Sequence, residues 1–428
     1  MKILIWLPYI PYPLDSGGNK AIYSMIDHLR KEHQISIGLN IRSNGLRAKP
    51  KARKKELVDQ LKTLWPEVTF YLYEGQYNED AYPQGWICKV LRFFQQSFAR
   101  KYKRAYHKWS AKHNLGDLSR AKSLLSESTI QYNPGFLRFV KETSQKGFDV
   151  IQAEMYEYLF LGYLFPKNVK RIFIHHELRF VRLQNELTLF HEQGGNDLLA
   201  YEQEKASEIA ALKEYNFIVT LTENDRKILS TYLNKEKIII SPAAITAPKK
   251  QYTFSPCQDF VFVGSGEHEP NVDGLRWFAD EILPILRKKQ IPIKLYIVGK
   301  WNEKQCQLYR KNSPEIIFTG FIDDLSSFLN GKISIIPIRM GSGMRIKIIE
   351  AVNAMSPFIA TSKGVEGLNF HADTECFITN EATDFANYMI SLLCDTKRQQ
   401  ELASKAYHKL ETYYNANTLF EIRKQIYS

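Results

Sequence analysis

Apolar residues recur along the chain at spacings that alternate between those of strands and those of helices. Lys2 is followed by an uninterrupted apolar run at residues 3–7, which predicts a buried strand over residues 2–7. Residues 19–30 follow a loop that ends in two glycines and carry apolar side chains at helical spacing, which predicts a helix. Residues 34–39 predict a second strand. Strand, glycine turn, helix and strand in this order are typical of the start of a doubly wound α/β domain.

The same alternation continues and then begins again in the second half of the chain. The further strands predicted in the N-terminal half are residues 68–72, 149–153, 171–174, 217–221 and 237–240. Residues 242–256 are rich in Pro, Ala and Thr without periodicity, which predicts a linker. Beyond it, strands are predicted at residues 259–263, 294–298, 315–318, 333–337 and 357–360, with a helix at 273–288.

This pattern predicts an α/β fold of two Rossmann-like, doubly wound domains that face a central cleft. We expect an N-terminal domain at residues 1–245 and a C-terminal domain at residues 246–405. The helical, aromatic stretch 401–428 is predicted to cross back at residues 406–428 and to pack on the N-terminal domain.

Composition places the protein among ordinary globular chains, with 44% hydrophobic and 24% charged residues. No stretch approaches 18 uncharged apolar residues, so we expect no membrane span and a cytoplasmic protein. Five cysteines lie far apart without metal-binding spacing, which predicts free thiols rather than disulfides or zinc.

The net charge of +12 comes almost entirely from the first 120 residues. Within them, residues 86–109 carry aromatic residues near i,i+4 spacing with basic residues between, which predicts a basic amphipathic helix inserted in the N-terminal domain. Two interpretations stay open: peripheral contact with the anionic inner face of a membrane, or packing on the core with a solvated basic face. No motif indicates a nucleic-acid partner.

The segment 338–351 is the most informative one for chemistry. It follows a predicted buried strand and opens a helix, and Gly341 and Gly343 allow backbone amides to approach an oxyanion closely. Arg339, Arg345 and Lys347 add positive charge. This combination predicts a diphosphate site.

Glu350 lies one to two turns into the same predicted helix, where a carboxylate is suited to accept hydrogen bonds from the hydroxyls of a ribose. The alternative is that Lys347 and Glu350, at i,i+3, form a surface ion pair after an ordinary glycine-rich turn.

Residues 260–368 resemble the nucleotide-sugar domain of retaining glycosyltransferases of the GT-B fold, family 4 in the carbohydrate-enzyme classification. The resemblance rests on the order and spacing of several short segments together. These are residues 260–264 (FVFVG), 270–273 (PNVD), 297–299 (IVG), 318–324 (FTGFIDD), 338–351, 357–361 (PFIAT) and 364–368 (GVEGL).

The resemblance implies a role for each matching position. Residues 341–343 would place backbone amides on the diphosphate, Arg345 or Lys347 would neutralise it, and Glu350 would hold the ribose. Residues 319–322 would receive the base, and residues 364–367 would lie beside the diphosphate and sugar. The donor-binding residues predicted in this half are Gly264, Gly320, Phe321, Ile322, Arg339, Gly341, Ser342, Gly343, Met344, Glu350, Gly364 and Glu366.

The chain departs from the family pattern at two places. Many members have two glutamates separated by seven residues, and here Ser342 stands where the first is expected. Many also have an Arg and a Lys after the first strand of this domain, where this chain has residues 265–268 (SGEH). These departures indicate either a distinct branch of the family or a loss of activity.

The acceptor end of the cleft is predicted from the N-terminal half. Gly17 and Gly18 open a helix that faces the cleft, where they are expected to contact the donor phosphate or the acceptor, although a turn needing positive φ would also explain them. Glu154 ends one strand, and His175 and His176 end the next. A histidine is suited to deprotonate an acceptor hydroxyl, and the alternative is two packed histidines. Neighbouring strand residues point to opposite faces, so no metal is expected there.

We therefore expect a glycosyltransferase that moves a sugar from a nucleotide-diphosphate donor to a glycan or lipid-linked acceptor, in surface polysaccharide or glycoconjugate synthesis. The resemblance implies retention by front-face displacement, with Arg345 and Lys347 stabilising the leaving diphosphate. No cofactor besides the donor and no metal is expected, and Asp323 and Asp324 are interpreted as a helix N-cap. The alternatives are a nucleotide-sugar epimerase of the same shape and an inactive nucleotide-binding subunit.

Overall fold

The structure is a computed structural model that describes residues 1–14, 17–42, 51–75, 132–190, 195–244 and 251–427. Within these ranges the chain forms two parallel β-sheets with helices packed on them, which confirms the predicted α/β class. The predicted basic helix at residues 86–109 lies outside the described residues, so its two interpretations stay predictions.

The first sheet has seven strands in the order β3-β2-β1-β4-β5-β6-β7, all parallel. These strands are β1 Lys2–Leu7, β2 Gln34–Asn40, β3 Thr69–Tyr73, β4 Val150–Glu154, β5 Lys170–His175, β6 Phe217–Thr220 and β7 Ile238–Ile240. The central strands β1 and β4 are short and buried on both faces, as expected where helices cover a parallel sheet.

The second sheet has six strands in the order β10-β9-β8-β11-β12-β13, again parallel. They are β8 Asp259–Val263, β9 Leu295–Val298, β10 Ile316–Gly320, β11 Lys332–Ile336, β12 Phe358–Ala360 and β13 Phe377–Ile378. The last strand was not predicted, because two residues are too short to produce a recognisable pattern.

The helices connect these strands across both faces of the sheets. Those of the N-terminal half are α1 Gly17–Leu29, α2 Lys51–Leu64, α3 Pro134–Ser144, α4 Arg179–Phe190, α5 Gly195–Leu212 and α6 Glu223–Leu229, with short 3₁₀ segments at Tyr156–Leu164 and Lys235–Lys237. Those that follow are α7 Glu269–Trp277, α8 Leu283–Lys288, α9 Glu303–Asn312, α10 Leu325–Leu329, α11 Ile346–Asn353, α12 Ser362–Val365, α13 Ala382–Cys394, α14 Thr396–Tyr413 and α15 Ala416–Lys424.

Both sheets contain the strand order 3-2-1-4-5-6, so each has a switch point beside its first strand. In the first sheet the switch lies between β1 and β4, and in the second between β8 and β11. Ligands of such sheets bind beyond the carboxyl ends of the strands at the switch point. The loops after β1, β4, β5 and β11 are therefore where the fold places a binding site.

Two helices depart from their predicted form. The helix predicted at 273–288 is interrupted by a π turn at Phe278–Ile282, just before Pro284, which has no N–H for the i→i−4 ladder. The helical stretch predicted at 401–428 breaks after Tyr413, and the side chain of Asn415 caps α15.

The last helix leaves the C-terminal half and packs into the hydrophobic core of the N-terminal half. The residues that it and the following turn contribute to that core are Leu419, Phe420, Ile426 and Tyr427. Arg423 is 3% exposed there and donates to the hydroxyl and carbonyl oxygens of Ser241 at 2.8 and 3.1 Å. None of the helices that the structure describes is long and apolar enough to cross a membrane.

Candidate active site in the interdomain cleft

The glycine-rich loop lies at the carboxyl end of β11, immediately before α11. Gly341 and Gly343 have φ of +106° and +81°, which side chains rarely adopt. A Cβ on Gly343 would lie 2.2 Å from the carbonyl oxygen of His176, across the cleft. The glycines are therefore required by backbone conformation and by the closeness of the opposite domain.

Residues of the N-terminal half occupy this loop from the other side. The amide of Ser342 donates to the Glu177 carboxylate at 3.4 Å, and the Ser342 hydroxyl accepts from the amide of Leu178 at 2.7 Å. Glu177 was not assigned a role from sequence, although it directly follows the two histidines. In this structure its carboxylate is the anion at the loop.

Arg345 stands at the start of α11, where its guanidinium donates to the carbonyl oxygens of Ser342 at 2.6 Å and Met340 at 3.4 Å. Burial lowers the pKa of Arg345, and the carboxylates of Glu177 and Glu366 act against that shift. Its Nε atom is buried and has no hydrogen-bond partner among the described residues. Arg345 thus supports the loop through its side chain.

Lys347 is the second cation of this cluster. Its Nζ donates to the Asn271 side-chain oxygen at 2.7 Å and lies 4.6 Å from the centre of the Phe262 ring. Burial, and then the charge of Arg345, lower the pKa of Lys347 to about 7. A cation paired with a neutral amide beside another cation is stabilised by an incoming anion, which restores its charge.

Arg339 is engaged elsewhere. Its guanidinium makes a bidentate contact with Asp273 at 3.0 and 2.7 Å and lies over the Trp277 ring. This geometry ties the segment after β11 to α7. The structure therefore gives Arg339 a carboxylate partner, whereas the hydrogen-bond partners of Arg345 and Lys347 within the described ranges are neutral oxygens.

Glu350 pairs with Lys20 of α1, with 2.5 Å between Nζ and Oε1, rather than with Lys347. The two members of the alternative i,i+3 pair thus have different partners, and both partners come from other elements. Lys20 was missed by the sequence analysis, although it lies one turn after the two glycines that drew attention to this helix end.

Gly17 and Gly18 begin α1 and do not have positive φ. A Cβ on Gly17 would lie 2.7 Å from Cγ2 of Ile346, and one on Gly18 would lie 3.0 Å from the Tyr9 hydroxyl. The alternative of a positive-φ turn is therefore wrong for these residues, and close packing of α1 on α11 explains the first glycine.

The remaining predicted donor residues lie at or beyond the carboxyl ends of strands in the second sheet. Gly320 has φ +74° with open space around it, and the next residue, Phe321, is 57% exposed beside the half-buried Ile322. Gly264 packs directly on the side chain of Asn271. Gly364 is the buried residue whose amide donates to the Thr361 hydroxyl, and Met344 is 8% exposed.

Glu366 also reaches across the cleft. It accepts a hydrogen bond of 2.5 Å from Asn224 of α6 and forms an ion pair of 2.6 Å with Lys363. A Cβ on the adjacent Gly367 would lie 2.4 Å from Cγ2 of Thr222. The described conformation is therefore one in which the two halves contact each other closely.

The two histidines have different environments. His175 is 1% exposed, and its Nε2 lies 2.7 Å from Oε1 of Glu208. The Glu208 carboxylate also accepts hydrogen bonds from the backbone amides of Arg179 and Phe180. The Glu208 carboxylate thus links His175 to the start of α4. Only His176 meets the expectation that one histidine faces the cleft.

His176 lies beside Glu154, with 3.0 Å between Nε2 and Oε2. Its side chain is 16% exposed, while that of Glu154 is 3% exposed. Both border a small cavity against α1 that Arg423 also lines. The structure thus brings together Glu154 and His176, the two predicted residues on neighbouring strands.

Two further expectations concern carboxylates. The side chain of Asp324 accepts the amide of Ser327 at 3.0 Å and caps α10, which confirms the N-cap interpretation. Within the described ranges, no group of three or more His, Cys, Asp or Glu side chains is arranged to hold a metal ion.

Comparison with known proteins matches part of the chain to a family. Residues 257–395 match the family described as Glycosyl transferases group 1. An uncharacterized 44.6 kDa protein in the cps region of Klebsiella pneumoniae is 25% identical over 168 residues, which are 37% of this chain. The match spans only 43% of that relative's length.

Solved structures resemble the whole chain. A mutant of S. aureus TarM, in complex with fondaparinux, alpha-GlcNAc-glycerol and UDP, superposes with a TM-score of 0.67 at 11% identity, covering 100% of this chain and 99% of TarM. HepE of Anabaena in complex with UDP-glucose gives 0.61 at 14% identity, covering 100% and 99%. Sucrose-phosphate synthase of Thermosynechococcus elongatus gives 0.66 at 14% identity, covering 100% and 98%.

Identities this low show the fold alone, and that fold is the predicted GT-B arrangement of two Rossmann-like domains around a cleft. The chain therefore has the GT-B fold, and its residues 257–395 match the family described as Glycosyl transferases group 1.

Proposed function

We propose that this protein is a glycosyltransferase that moves a sugar from a nucleoside-diphosphate donor to a glycan or lipid-linked acceptor. The observation that carries the proposal is the pair of cations at the loop after β11. Arg345 and Lys347 lie together at the start of a helix, and their direct hydrogen bonds go to carbonyl and amide oxygens. Such a cluster is suited to bind a diphosphate.

The donor is placed by the same residues. The amides of residues 341–343 and the two cations bind the diphosphate, Glu350 binds the ribose, and residues 319–322 receive the base. Glu366 and Gly364 lie beside the diphosphate and the sugar. UDP is the first nucleotide to test, because the TarM and HepE complexes contain UDP or UDP-glucose.

The reaction breaks the bond between the anomeric carbon and the diphosphate oxygen, and the acceptor hydroxyl forms the new bond. Arg345, Lys347 and the amino end of α11 stabilise the negative charge that develops on the leaving diphosphate. The acceptor proton goes to a leaving-group oxygen or to His176. We propose retention, because the part of the family that residues 260–368 resemble retains configuration.

A role in surface polysaccharide synthesis is supported by the relative from a capsule region. The acceptor is then a glycan or a lipid-linked glycan, bound beside α1 and the ends of β4 and β5. We propose that the enzyme works in the cytoplasm, with peripheral membrane contact through residues 86–109.

The decisive experiment is a thermal-shift screen with UDP, GDP, ADP and CMP. A nucleoside diphosphate that binds the native state raises its melting temperature. At a hundredfold excess over Kd, binding increases the free energy of unfolding by about 2.7 kcal/mol. Lys347→Met is expected to abolish the shift. Lys409→Met is the control, because Lys409 also lies over an aromatic ring of this half, Phe370, but its ion pair is with Glu375 and not with the loop. A shift that survives Lys347→Met contradicts the proposed site.

One alternative has an observation in its favour. Ser342 stands where many family members have a glutamate, so the loop provides no carboxylate for a sugar, as expected of an inactive nucleotide-binding subunit. The Ser342 hydroxyl accepts a hydrogen bond from the opposite domain instead. Release of nucleoside diphosphate from a nucleotide sugar by the wild type, lost in Glu350→Ala, excludes that alternative. Nucleotide binding without any turnover favours it.

A further inference from the structure

A chain of hydrogen bonds runs through the interior of the N-terminal half from the end of the polypeptide to His176. The Tyr427 hydroxyl donates to Oε1 of Gln152 at 2.5 Å. The Gln152 amide donates to Oε1 of Glu154 at 2.7 Å, and Oε2 of Glu154 lies 3.0 Å from Nε2 of His176. Tyr427 and Gln152 are both 0% exposed.

The sheet makes this chain possible. Gln152 and Glu154 are two residues apart on β4, so their side chains lie on the same face of the sheet. His176 follows β5, which pairs with β4 in parallel, and Glu154 is opposite Ile174. Tyr427 reaches the same face because α15 packs there, anchored by the buried bonds between Arg423 and Ser241.

The direction of each bond follows from the chemistry of the groups. Burial raises the pKa of the Tyr427 hydroxyl to about 12, so it keeps its proton and donates to the carbonyl oxygen of Gln152. The amide nitrogen of Gln152 therefore faces Glu154 and donates. An ionised carboxylate only accepts, so the His176 nitrogen that faces it, Nε2, carries the ring proton.

This arrangement leaves Nδ1 of His176 as the acceptor nitrogen. None of the described residues donates to it, and the side chain is 16% exposed. A neutral imidazole with its proton held on one nitrogen by a carboxylate can accept a proton at the other. His176 itself touches the substrate in this scheme, whereas the residues behind it act only through its orientation.

We propose that Tyr427 and Gln152 are positioning residues for the acceptor end of the site, so that the C-terminal segment sets the orientation and tautomer of His176. Through Gln152, the Tyr427 hydroxyl holds the Glu154 carboxylate where it binds the Nε2 proton, and Nδ1 binds the acceptor hydroxyl. Only that last contact rests on the proposed function. The orientation and tautomer of His176 are properties of the protein without substrate.

The test compares Tyr427→Phe with Tyr215→Phe. Each change removes one hydroxyl from a buried tyrosine of the N-terminal half. The Tyr215 hydroxyl donates to the carbonyl oxygen of Leu159 at 2.6 Å and takes no part in the chain to His176. The two variants therefore share the packing and stability effects of losing a buried hydroxyl, and they differ in the connection to His176.

The first measurement is the ¹⁵N spectrum of the histidine rings at pH 8, with ¹⁵N-labelled histidine and with His176 assigned by its absence in His176→Gln. The wild type and Tyr215→Phe are expected to show a single Nε2–H tautomer of His176. Tyr427→Phe is expected to show a mixture of both tautomers. An unchanged His176 spectrum in Tyr427→Phe, or an equal change in Tyr215→Phe, overturns the proposal.

The second measurement is turnover of UDP-glucose, GDP-mannose or ADP-glucose, whichever the wild type uses. Tyr427→Phe is expected to lower kcat about tenfold with the donor KM unchanged, because the donor binds to the other half. A tenfold rise in the donor KM without loss of kcat overturns the proposal. If the wild type uses no nucleotide sugar, the proposed function fails, while the tautomer measurement still decides whether Tyr427 orients His176.

Discussion

Lys20 and Glu350 form an ion pair of 2.5 Å that joins the two halves of the protein. Glu350 is the carboxylate proposed to hold the ribose, so the N-terminal half places a cation where the nucleotide is expected. Glu177 likewise places a carboxylate on the amide of Ser342, where a phosphate is expected. The described conformation is therefore one in which the opposite domain occupies both ends of the proposed donor site.

Removing Lys20 is expected to help the nucleotide to bind. In Lys20→Met, Glu350 loses its partner, so a ribose no longer competes with a cation. The pair is partly exposed, with 29% and 13% of the side chains accessible, so its contribution is small, about 0–1 kcal/mol, and UDP affinity should rise about two- to fivefold by calorimetry.

Lys31→Met is the control for Lys20→Met, since Lys31 lies just beyond the same helix and pairs weakly with Asp27 at 3.9 Å. It should leave the affinity unchanged. Weaker UDP binding by Lys20→Met would show that Lys20 contacts the nucleotide instead of competing with it.

Nucleotide binding is expected to take up a proton near neutral pH. The pKa of Lys347 is about 7 without a ligand, and a diphosphate favours its charged form, so binding raises that pKa. Below pH 7 the lysine is already charged. Above pH 7 it must gain a proton on binding, so affinity falls as pH rises, at most about tenfold per pH unit.

Calorimetry at pH 7.5 in buffers of different ionisation enthalpy measures this proton uptake. Lys347→Arg serves as the control, because arginine stays charged over this range. Uptake by the wild type that is absent in Lys347→Arg supports the assignment. Equal uptake by both proteins contradicts it.

Asp225 is expected to destabilise the fold above pH 6. It is 2% exposed, and burial raises its pKa to about 6, while the Thr222 hydroxyl acts in the opposite direction. A carboxyl whose folded-state pKa exceeds the unfolded value stabilises the fold at low pH, and this stabilisation is lost as pH rises through 6. Asp225→Asn should therefore raise the melting temperature relative to wild type at pH 8.

The gain from Asp225→Asn should be up to about 3 kcal/mol at pH 8 and should be absent at pH 4. Thermal unfolding at the two pH values measures it. The same melting-temperature difference at both pH values would mean that the charge of Asp225 is not the cause.

Gly343→Ala is expected to prevent the close contact between the two halves. The new methyl group would lie 2.2 Å from the His176 carbonyl oxygen, a backbone atom that cannot rotate away, and the φ of +81° adds strain. Turnover should fall at least about tenfold, and limited proteolysis should detect a looser chain.

Gly331→Ala is the matched control, with a φ of +80° and no neighbouring atom within 3.4 Å of the added carbon. It should cost only the strain of a left-handed residue, about 1–2 kcal/mol, and retain activity. Equal losses in both variants would assign the effect to backbone strain rather than to contact across the cleft.

The donor half was largely predictable because its signals are local. The loop before α11, the glycines at 341 and 343, and the cations at 345 and 347 stand close together in the sequence, and the strand before them sets their position. The role of Arg339 was not predictable in this way, since its bidentate contact is with Asp273, which lies 66 residues away.

The acceptor half shows the opposite situation. The sequence indicates that Glu154, His175 and His176 end neighbouring strands, but not which histidine is enclosed. Glu208, on a helix that comes later in the chain, forms a buried hydrogen bond with His175, whereas His176 forms one with Glu154. Burial of a particular ring depends on which distant side chain reaches it, and strand patterns do not contain that information.

By itself, the sequence determined the two α/β halves, the order of strand, glycine turn and helix in each, and the cation-rich loop, because these depend on residues a few positions apart. Only the tertiary structure decided the contacts between Lys20 and Glu350, between Glu177 and the loop, and from Tyr427 to His176. Those contacts join residues that are distant along the chain, and their free energy depends on how closely folded elements approach. The spacing of residue types does not specify that distance.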